Sequence, residues 1–306
     1  MYQEVVAILS LFGLFLILNN FSKNENIKTT SIHSELVCRN EKLKGFRKID
    51  LKKTSKSSNT FKIRSTDFDS SATHHPDCIQ RGQNIAIIIP YRNRQKQLTI
   101  FKNHMIPIFI SQNLSFKIYV LNQTEKHPFN RAKLFNIGYK LASKERDWDC
   151  YTFHDVDLLL ENDNLSYKCD NMTNLPKHLS VSIDKFKYKL PYANIFGGVI
   201  QVSKEQLEIV NGFSNEYWGW GGEDGDMRKR LIDYGGFRLN RPDADIARYK
   251  MVKIGHESGK VNSQKDVLLI DALKNRPLDG LNSLKYELVD RKIDDGFEVI
   301  TVDLKN

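Results

Sequence analysis

The sequence predicts an α/β fold: an open, mostly parallel central sheet flanked by helices, with ligands at the carboxyl ends of its strands. Three observations predict it. The run Ile85-Ala-Ile-Ile-Ile-Pro90 is continuously apolar and stops at the polar turn Tyr91-Arg-Asn-Arg94, as a strand buried on both faces should. Strand-like and helix-like segments then alternate, the arrangement of βαβ units. The third strand ends in two carboxylates, where open α/β sheets place their ligands.

Each element has its own signal. Residues 98–110 carry apolar side chains at helical spacing. Residues 116–121 read as a second strand and residues 132–141 as a second helix. Tyr151-Thr-Phe-His154 forms the third strand and runs into Asp155-Val-Asp157. Residues 227–234 read as a helix whose N-terminus is preceded by acidic residues, which suits the helix dipole. No internal repeat or low-complexity block interrupts residues 85–306.

The 306 residues allow one large domain with a tail, and 40% hydrophobic content supports a folded core rather than disorder. The formal charge of +9 is concentrated early, in Lys42, Lys44, Arg47, Lys48, Lys52, Lys53 and Lys56, within a Ser/Thr/Asn-rich stretch. That pattern is a solvated linker. Without an aromatic–basic motif it gives no support to nucleic-acid binding. Residues 22–80 therefore read as a stem, and 81–306 as the ordered domain.

Residues 5–18 are apolar apart from Ser10 and Gly13. At 1.5 Å per residue they reach roughly 21 Å, and extension to residue 21 makes a marginal membrane span. No small-residue cleavage site follows, so residues 5–21 read as an uncleaved signal anchor behind a tail of residues 1–4. Lys23 and Lys28 follow the run and no cation precedes it, which opposes the usual positive-inside bias. Four cysteines, Cys38, Cys78, Cys150 and Cys169, permit three pairings and lack zinc-site spacing. With sequons at Asn113, Asn122, Asn164 and Asn171, they favour a lumenal compartment.

Two clusters carry chemistry. Asp155 and Asp157 flank one residue at a strand end, and such hard oxygens suit Mn²⁺ or Mg²⁺ shared with a diphosphate. The segment Tyr217-Trp-Gly-Trp-Gly-Gly-Glu223-Asp224-Gly-Asp226 joins two tryptophans, three glycines and adjacent carboxylates. Its glycines permit a hinge, its tryptophans can cover a ligand, and Glu223 or Asp224 offers a general base.

These segments resemble the β1,4-galactosyltransferase family, which includes β4-galactosyl- and β4-N-acetylgalactosaminyltransferases, and most resemble its invertebrate-type N-acetylgalactosaminyl members. The resemblance covers residues 85–304. It rests on Ile87-Ile-Ile-Pro-Tyr-Arg-Asn-Arg94, Phe129-Asn-Arg-Ala-Lys-Leu134, Asp155-Val-Asp-Leu158, Leu190-Pro-Tyr192, Phe196-Gly-Gly198, Trp218-Gly-Trp-Gly-Gly-Glu-Asp224 and Asp279-Gly-Leu-Asn-Ser283. It implies a GT-A fold, a type II Golgi membrane protein with a lumenal catalytic domain, and a Mn²⁺-dependent inverting transfer from a UDP-sugar to a glycan acceptor.

Residue by residue, the resemblance implies that Pro90, Tyr91, Arg92, Arg94, Phe129 and Arg131 hold the uridine diphosphate. Asp155, Val156, Lys185, Tyr192, Ile195, Gly198 and Trp220 line the rest of the donor site, and Trp220 closes over it. Asp224 matches the catalytic base and Glu223 its neighbour. Asp157 and Met251 match metal ligands. Cys150 and Cys169 match one family disulfide, with Cys38 and Cys78 as the other.

The sequence departs from the family at four places. Ile254 stands where the metal-binding histidine belongs, and His256 is expected to complete the site with Asp157 and Met251. Gly225 replaces an acid, and residues 265–269 lack the Arg-Phe pair common among acceptors of N-acetylglucosamine. Ile195 stands where galactose-using members carry tyrosine, vacating space beside the donor's C2 and favouring N-acetylgalactosamine. A galactosyltransferase is the alternative reading, and an inactive glycan-binding relative the second, prompted by Ile254 and Gly225.

Overall fold

The structure, a computed structural model, describes residues 43–47, 49, 51, 83–169, 175–254, 260–294 and 296–305. The tail and anchor at residues 1–21, Cys38, Cys78 and His256 lie outside the described residues. Among those described, no helix is long and apolar enough to cross a membrane.

The chain runs β1 (Asn84–Tyr91), α1 (Gln95–Ser111), β2 (Ser115–Gln123), α2 (Arg131–Ala142) and β3 (Cys150–His154). It continues through β4 (Leu158–Leu160), β5 (Lys177–His178), β6 (Ser182–Ile183) and β7 (Val199–Val202) to α3 (Lys204–Ile209) and α4 (Glu223–Lys229). A π-helical turn, Arg230–Tyr234, extends α4; then come β8 (Arg248–Met251), α5 (Lys265–Ile270), α6 (Ala272–Asn275), β9 (Tyr286–Asp294) and β10 (Phe297–Leu304). Seven strands form one sheet in the order β5-β7-β3-β1-β2-β10-β9. Its four central strands, β3, β1, β2 and β10, are parallel, while β5, β7 and β9 join antiparallel at the edges. A small sheet, β4-β8-β6, stands beside it.

The unbroken apolar run of β1 has a direct cause in packing. Ile85, Ile87 and Ile89 point to the face covered by Phe101, Met105 and Phe109 of α1. Ala86 and Ile88 point to the opposite face, against Leu134, Phe135 and Ile137 of α2. Both faces are dry, so period-two alternation vanishes from the sequence. Burying each isoleucine contributes about 1.5–3 kcal/mol.

Two features tie the periphery down. The disulfide Cys150–Cys169 joins the start of β3 to the segment beyond β4, as the family resemblance implies. Residues 43–47, inside the stretch read as stem, dock on residues 161–163. The Lys44 and Gly45 amides donate to the Asp163 carboxylate at 3.0 and 2.6 Å, and Arg47 Nε donates to it at 2.7 Å. Burial alone would push the Asp163 carboxyl up, but these donors outweigh burial and hold it below its usual range.

Candidate active site

Parallel pairing brings the carboxyl ends of β1, β2 and β3 to one edge of the sheet, and with them Tyr91, Arg92, Arg131 and Asp155. Tyr91 closes β1, Arg92 follows, and Arg94 caps α1. Arg92 donates to the His127 carbonyl at 2.8 Å and stacks over the Phe129 ring at 5.2 Å, joining the β1 and β2 ends in one polar and aromatic wall. Pro90 lies within β1, opposite Leu121 of β2.

Asn130 caps α2 by accepting from the Lys133 amide at 2.9 Å, which fixes Arg131 as the first helical residue. Arg131 Nε then meets Asp155 at 2.7 Å, and its other nitrogens reach Glu223 at 3.4 Å and the Gly198 carbonyl at 3.5 Å. Burial disfavours the Arg131 charge, but Asp155 and Glu223 outweigh it and raise its pKa. Burial first, and the Asp224 charge second, push Glu223 up to about 7 against the pull of Arg131. Burial and Asp157 likewise raise Asp155. One guanidinium thus serves two crowded carboxylates.

Asp224 occupies the first turn of α4 with Glu223 and Asp226. Its position depends on Gly197: a Cβ there would lie 2.5 Å from Asp224 Oδ2. The Gly197 carbonyl accepts from Ser180 Oγ at 2.9 Å and lies 2.9 Å from His178 Nε2. Arg241 Nε donates to His178 Nδ1 at 3.2 Å, so His178 turns its Nε2 proton to Gly197. Burial, helped by the Arg241 charge, holds His178 down to about 4 and therefore neutral. Arg241 also donates to the Ile195 carbonyl at 2.6 Å. Ile195 itself is buried, 8% exposed.

Trp220 stands 60% exposed in a stretch where Gly219, Gly221 and Gly222 all take positive φ, a backbone other residues resist. It exchanges backbone hydrogen bonds with Lys260 and Asn262 at 2.9 and 3.0 Å. A cleft of about 490 Å³ opens here, lined by Tyr192, Trp220, Glu223, Asp224, Arg228 and Lys265 among others. Lys185 sits exposed on a 3₁₀ turn with its ammonium 5.5 Å from the Phe186 ring. Val156 is packed into the core, so only its backbone can face a ligand.

For a metal, Asp157 and Met251 are brought together by β4–β8 pairing. Met251 is in register with Leu158, and the Val252 amide donates to the Asp157 carbonyl at 2.7 Å. The like-charged Asp155 and Asp157 suit a hard divalent cation, which would relieve their repulsion. Among the described residues no three His, Cys, Asp or Glu side chains gather into a metal-holding group.

Sequence reasoning missed the supports behind these residues. His178, Ser180 and Arg241 hold the Gly197 backbone, and His154 Nδ1 lies 2.8 Å from the Asp155 carbonyl. Arg230, fully buried, pairs with Asp226 and Asp279, locking Asp279-Gly-Leu-Asn-Ser283 beneath α4. The spacing of Asp226 and Arg230, four residues apart, was the available signal.

An α/β sheet whose carboxyl edge gathers arginines, a carboxylate pair and a glycine-hinged tryptophan has GT-A glycosyltransferase architecture. Residues 38–170 match the family model described as the N-terminal region of glycosyl transferase group 7, and residues 177–257 the one described as the N-terminal domain of galactosyltransferase. The chain is 42% identical over 235 residues to beta-1,4-galactosyltransferase 4 of Cricetulus griseus and 45% identical over 219 residues to beta-1,4-galactosyltransferase 6 of Rattus norvegicus. These matches cover 76% and 70% of this chain, and 67% and 56% of those proteins. The catalytic domain of Drosophila beta1,4-galactosyltransferase 7, solved with xylobiose, superposes with a TM-score of 0.62 at 30% identity, covering 73% of this chain and 95% of that one. A mutant of that enzyme, solved with manganese, UDP-Gal and xylobiose, gives 0.61, with the same identity and coverage. The chain belongs to the β1,4-galactosyltransferase family.

Proposed function

We propose that the chain is an inverting, Mn²⁺-dependent glycosyltransferase. It moves N-acetylgalactosamine from UDP-GalNAc to a terminal sugar, N-acetylglucosamine being the expected one, of a glycoprotein or glycolipid glycan through a β1,4 bond. The observation that carries the reading is the placement of Asp224 on the cleft, joined through Glu223 and Arg131 to the Asp155–Asp157 strand end. A base and a diphosphate site then face one another across the space for a sugar.

In this reading Pro90, Tyr91, Arg92, Arg94, Phe129 and Arg131 bind the uridine diphosphate, the arginines as fixed charges. Asp155, Lys185, Tyr192 and Gly198 position the sugar, with the Val156 backbone beside them. Asp224 accepts the proton of the acceptor hydroxyl as that oxygen bonds to the anomeric carbon and the bond to UDP breaks on the opposite face. Asp157, Met251 and His256 would hold Mn²⁺, which when bound supplies positive charge against the leaving diphosphate. Trp220, on its glycine hinge, closes over the donor and excludes water. Residues 5–21 anchor the chain in the Golgi membrane with the catalytic domain lumenal, and Cys38–Cys78 is the second disulfide.

The buried aliphatic Ile195 supports N-acetylgalactosamine as the donor sugar. The names of the curated relatives support galactose as the second reading. Initial rates of UDP release with each donor decide between them. The expected outcome is UDP-GalNAc turnover well above UDP-Gal, reversed in Ile195→Tyr. A wild-type preference for UDP-Gal overturns the donor assignment and leaves the transferase standing.

A further inference from the structure

We propose that the cleft beside Asp224 takes an acceptor glycan bearing an oxyanion, a sulfate, phosphate or carboxylate group, held by Arg228 and Lys265. This rests on the transferase reading and adds the acceptor's chemical class. Arg228 follows Asp224 by four residues on α4, so the two share a helix face, and both line the cleft with Lys265.

Among the described residues the positive charge there has only distant partners. Arg228 meets one carboxylate within 4 Å among the described residues, Asp233 at 3.9 Å, too far for a hydrogen bond. Its Nε is buried with no acceptor, a costly state for a donor. Lys265 has no ion pair among the described residues; its ammonium stands 5.9 Å from the Trp220 ring. Lys229 differs, being committed to the Leu269 carbonyl at 3.0 Å.

The cleft's own acids do not answer these cations. Glu223 is engaged by Arg131 at 3.4 Å and Asp224 is seated against Gly197, while Asp266, which also lines the cleft, makes no ion pair with Arg228 or Lys265 among the described residues. Gly225 lines the cleft without charge. Arg241, nearby, is pushed down by burial first and by the Arg228 charge second, and its own hydrogen bonds go to His178 and the Ile195 carbonyl. A neutral sugar leaves the Arg228 guanidinium without a close acceptor, whereas an oxyanion pairs with a guanidinium through two parallel hydrogen bonds. In the proposed function the donor diphosphate has its own arginines, Arg92, Arg94 and Arg131, at the β1 and β2 ends.

The test measures kcat/KM of the full chain with Mn²⁺ and UDP-GalNAc or UDP-Gal. Acceptors are a neutral disaccharide ending in N-acetylglucosamine and the same disaccharide carrying a 6-sulfate, a 6-phosphate or a neighbouring glucuronate. At least one charged form is expected to exceed the neutral one about tenfold, and the three arms identify the anion. That ratio is expected to fall toward one in Arg228→Gln and in Lys265→Gln, to survive partly in Arg228→Lys, and to shrink with ionic strength. Charged acceptors no better than the neutral one, with neutral transfer intact, overturn the inference alone. So does a donor KM raised equally with every acceptor in Arg228→Gln, which would give these cations to the diphosphate. No transfer to any acceptor removes the transferase reading, and the inference with it.

Discussion

At the scale of single residues, function rests on carboxylates held in costly places. Asp224→Asn removes the proposed base and is expected to lower kcat by about 10²–10⁴ with little change in donor KM, read by UDP release. Gly197→Ala probes the same group indirectly. Gly197 is not among the positive-φ glycines, so alanine suits the backbone, but its Cβ would displace the Asp224 carboxylate. Turnover is expected to fall about a hundredfold while the melting temperature moves by only a few degrees; full activity would show that Asp224 has another way to its place. Glu223 sets a pH dependence. Its carboxyl titrates at 4.5 when unperturbed and at about 7 in the fold, so between those values the folded protein binds more protons than the unfolded one. Stability from this group is full below 4.5 and is lost as pH rises through about 7. Glu223→Gln removes the loss, and its urea midpoint is expected to lie above that of the wild type at pH 8 and close to it at pH 4. His154 and His178, held to about 4 by burial, cost both proteins stability as pH falls below 6.5 and cancel in the comparison. Equal differences at both pH values would return Glu223 to ordinary carboxylate behaviour.

At the scale of elements, the segment at residues 43–47 does what a flexible stem would not. It supplies two amides and a guanidinium to Asp163, a carboxylate whose side chain is fully buried. A truncation beginning at residue 80 strands that charge in the interior, and breaking one side of a buried pair costs about 3–5 kcal/mol. A chain beginning before residue 43 is therefore expected to unfold at a markedly higher urea midpoint than residues 80–306, and Asp163→Asn should narrow the gap. Equal midpoints would mean that the clamp contributes nothing. The helices show a different division of labour. α1 and α2 are read easily because each presents one apolar face to a sheet already flagged by β1. α4 is short, begins at a left-handed glycine, and passes into a π-helical turn at Arg230. It holds its place through Arg230, Asp226 and Asp279, an arrangement with no periodic signature.

At the scale of the whole molecule, the alternation of strands and helices, the parallel central strands and the position of the Asp155–Asp157 pair were legible in the chain itself. Local patterning produces them: a strand buried on both faces must be continuously apolar, and a carboxylate pair at its end must fall on the ligand edge of the sheet. The motif residues were equally legible, because glycine–tryptophan and paired-acid segments have few structural uses. What touches what across long separations was not legible. Glu223 reaches Arg131 over 92 residues, Arg241 reaches His178 over 63, and Arg47 reaches Asp163 over 116. Such pairs depend on strand order and loop path, which no local window encodes. The sequence alone determined the fold class, the family resemblance and the candidate chemistry, since these reside in residue type and short-range spacing. Only the tertiary structure decided that Asp224 depends on the bare face of Gly197, that Glu223 is pushed up to about 7, and that Arg228 and Lys265 share one cleft. Burial and proximity set those properties, and both exist only once the chain is packed.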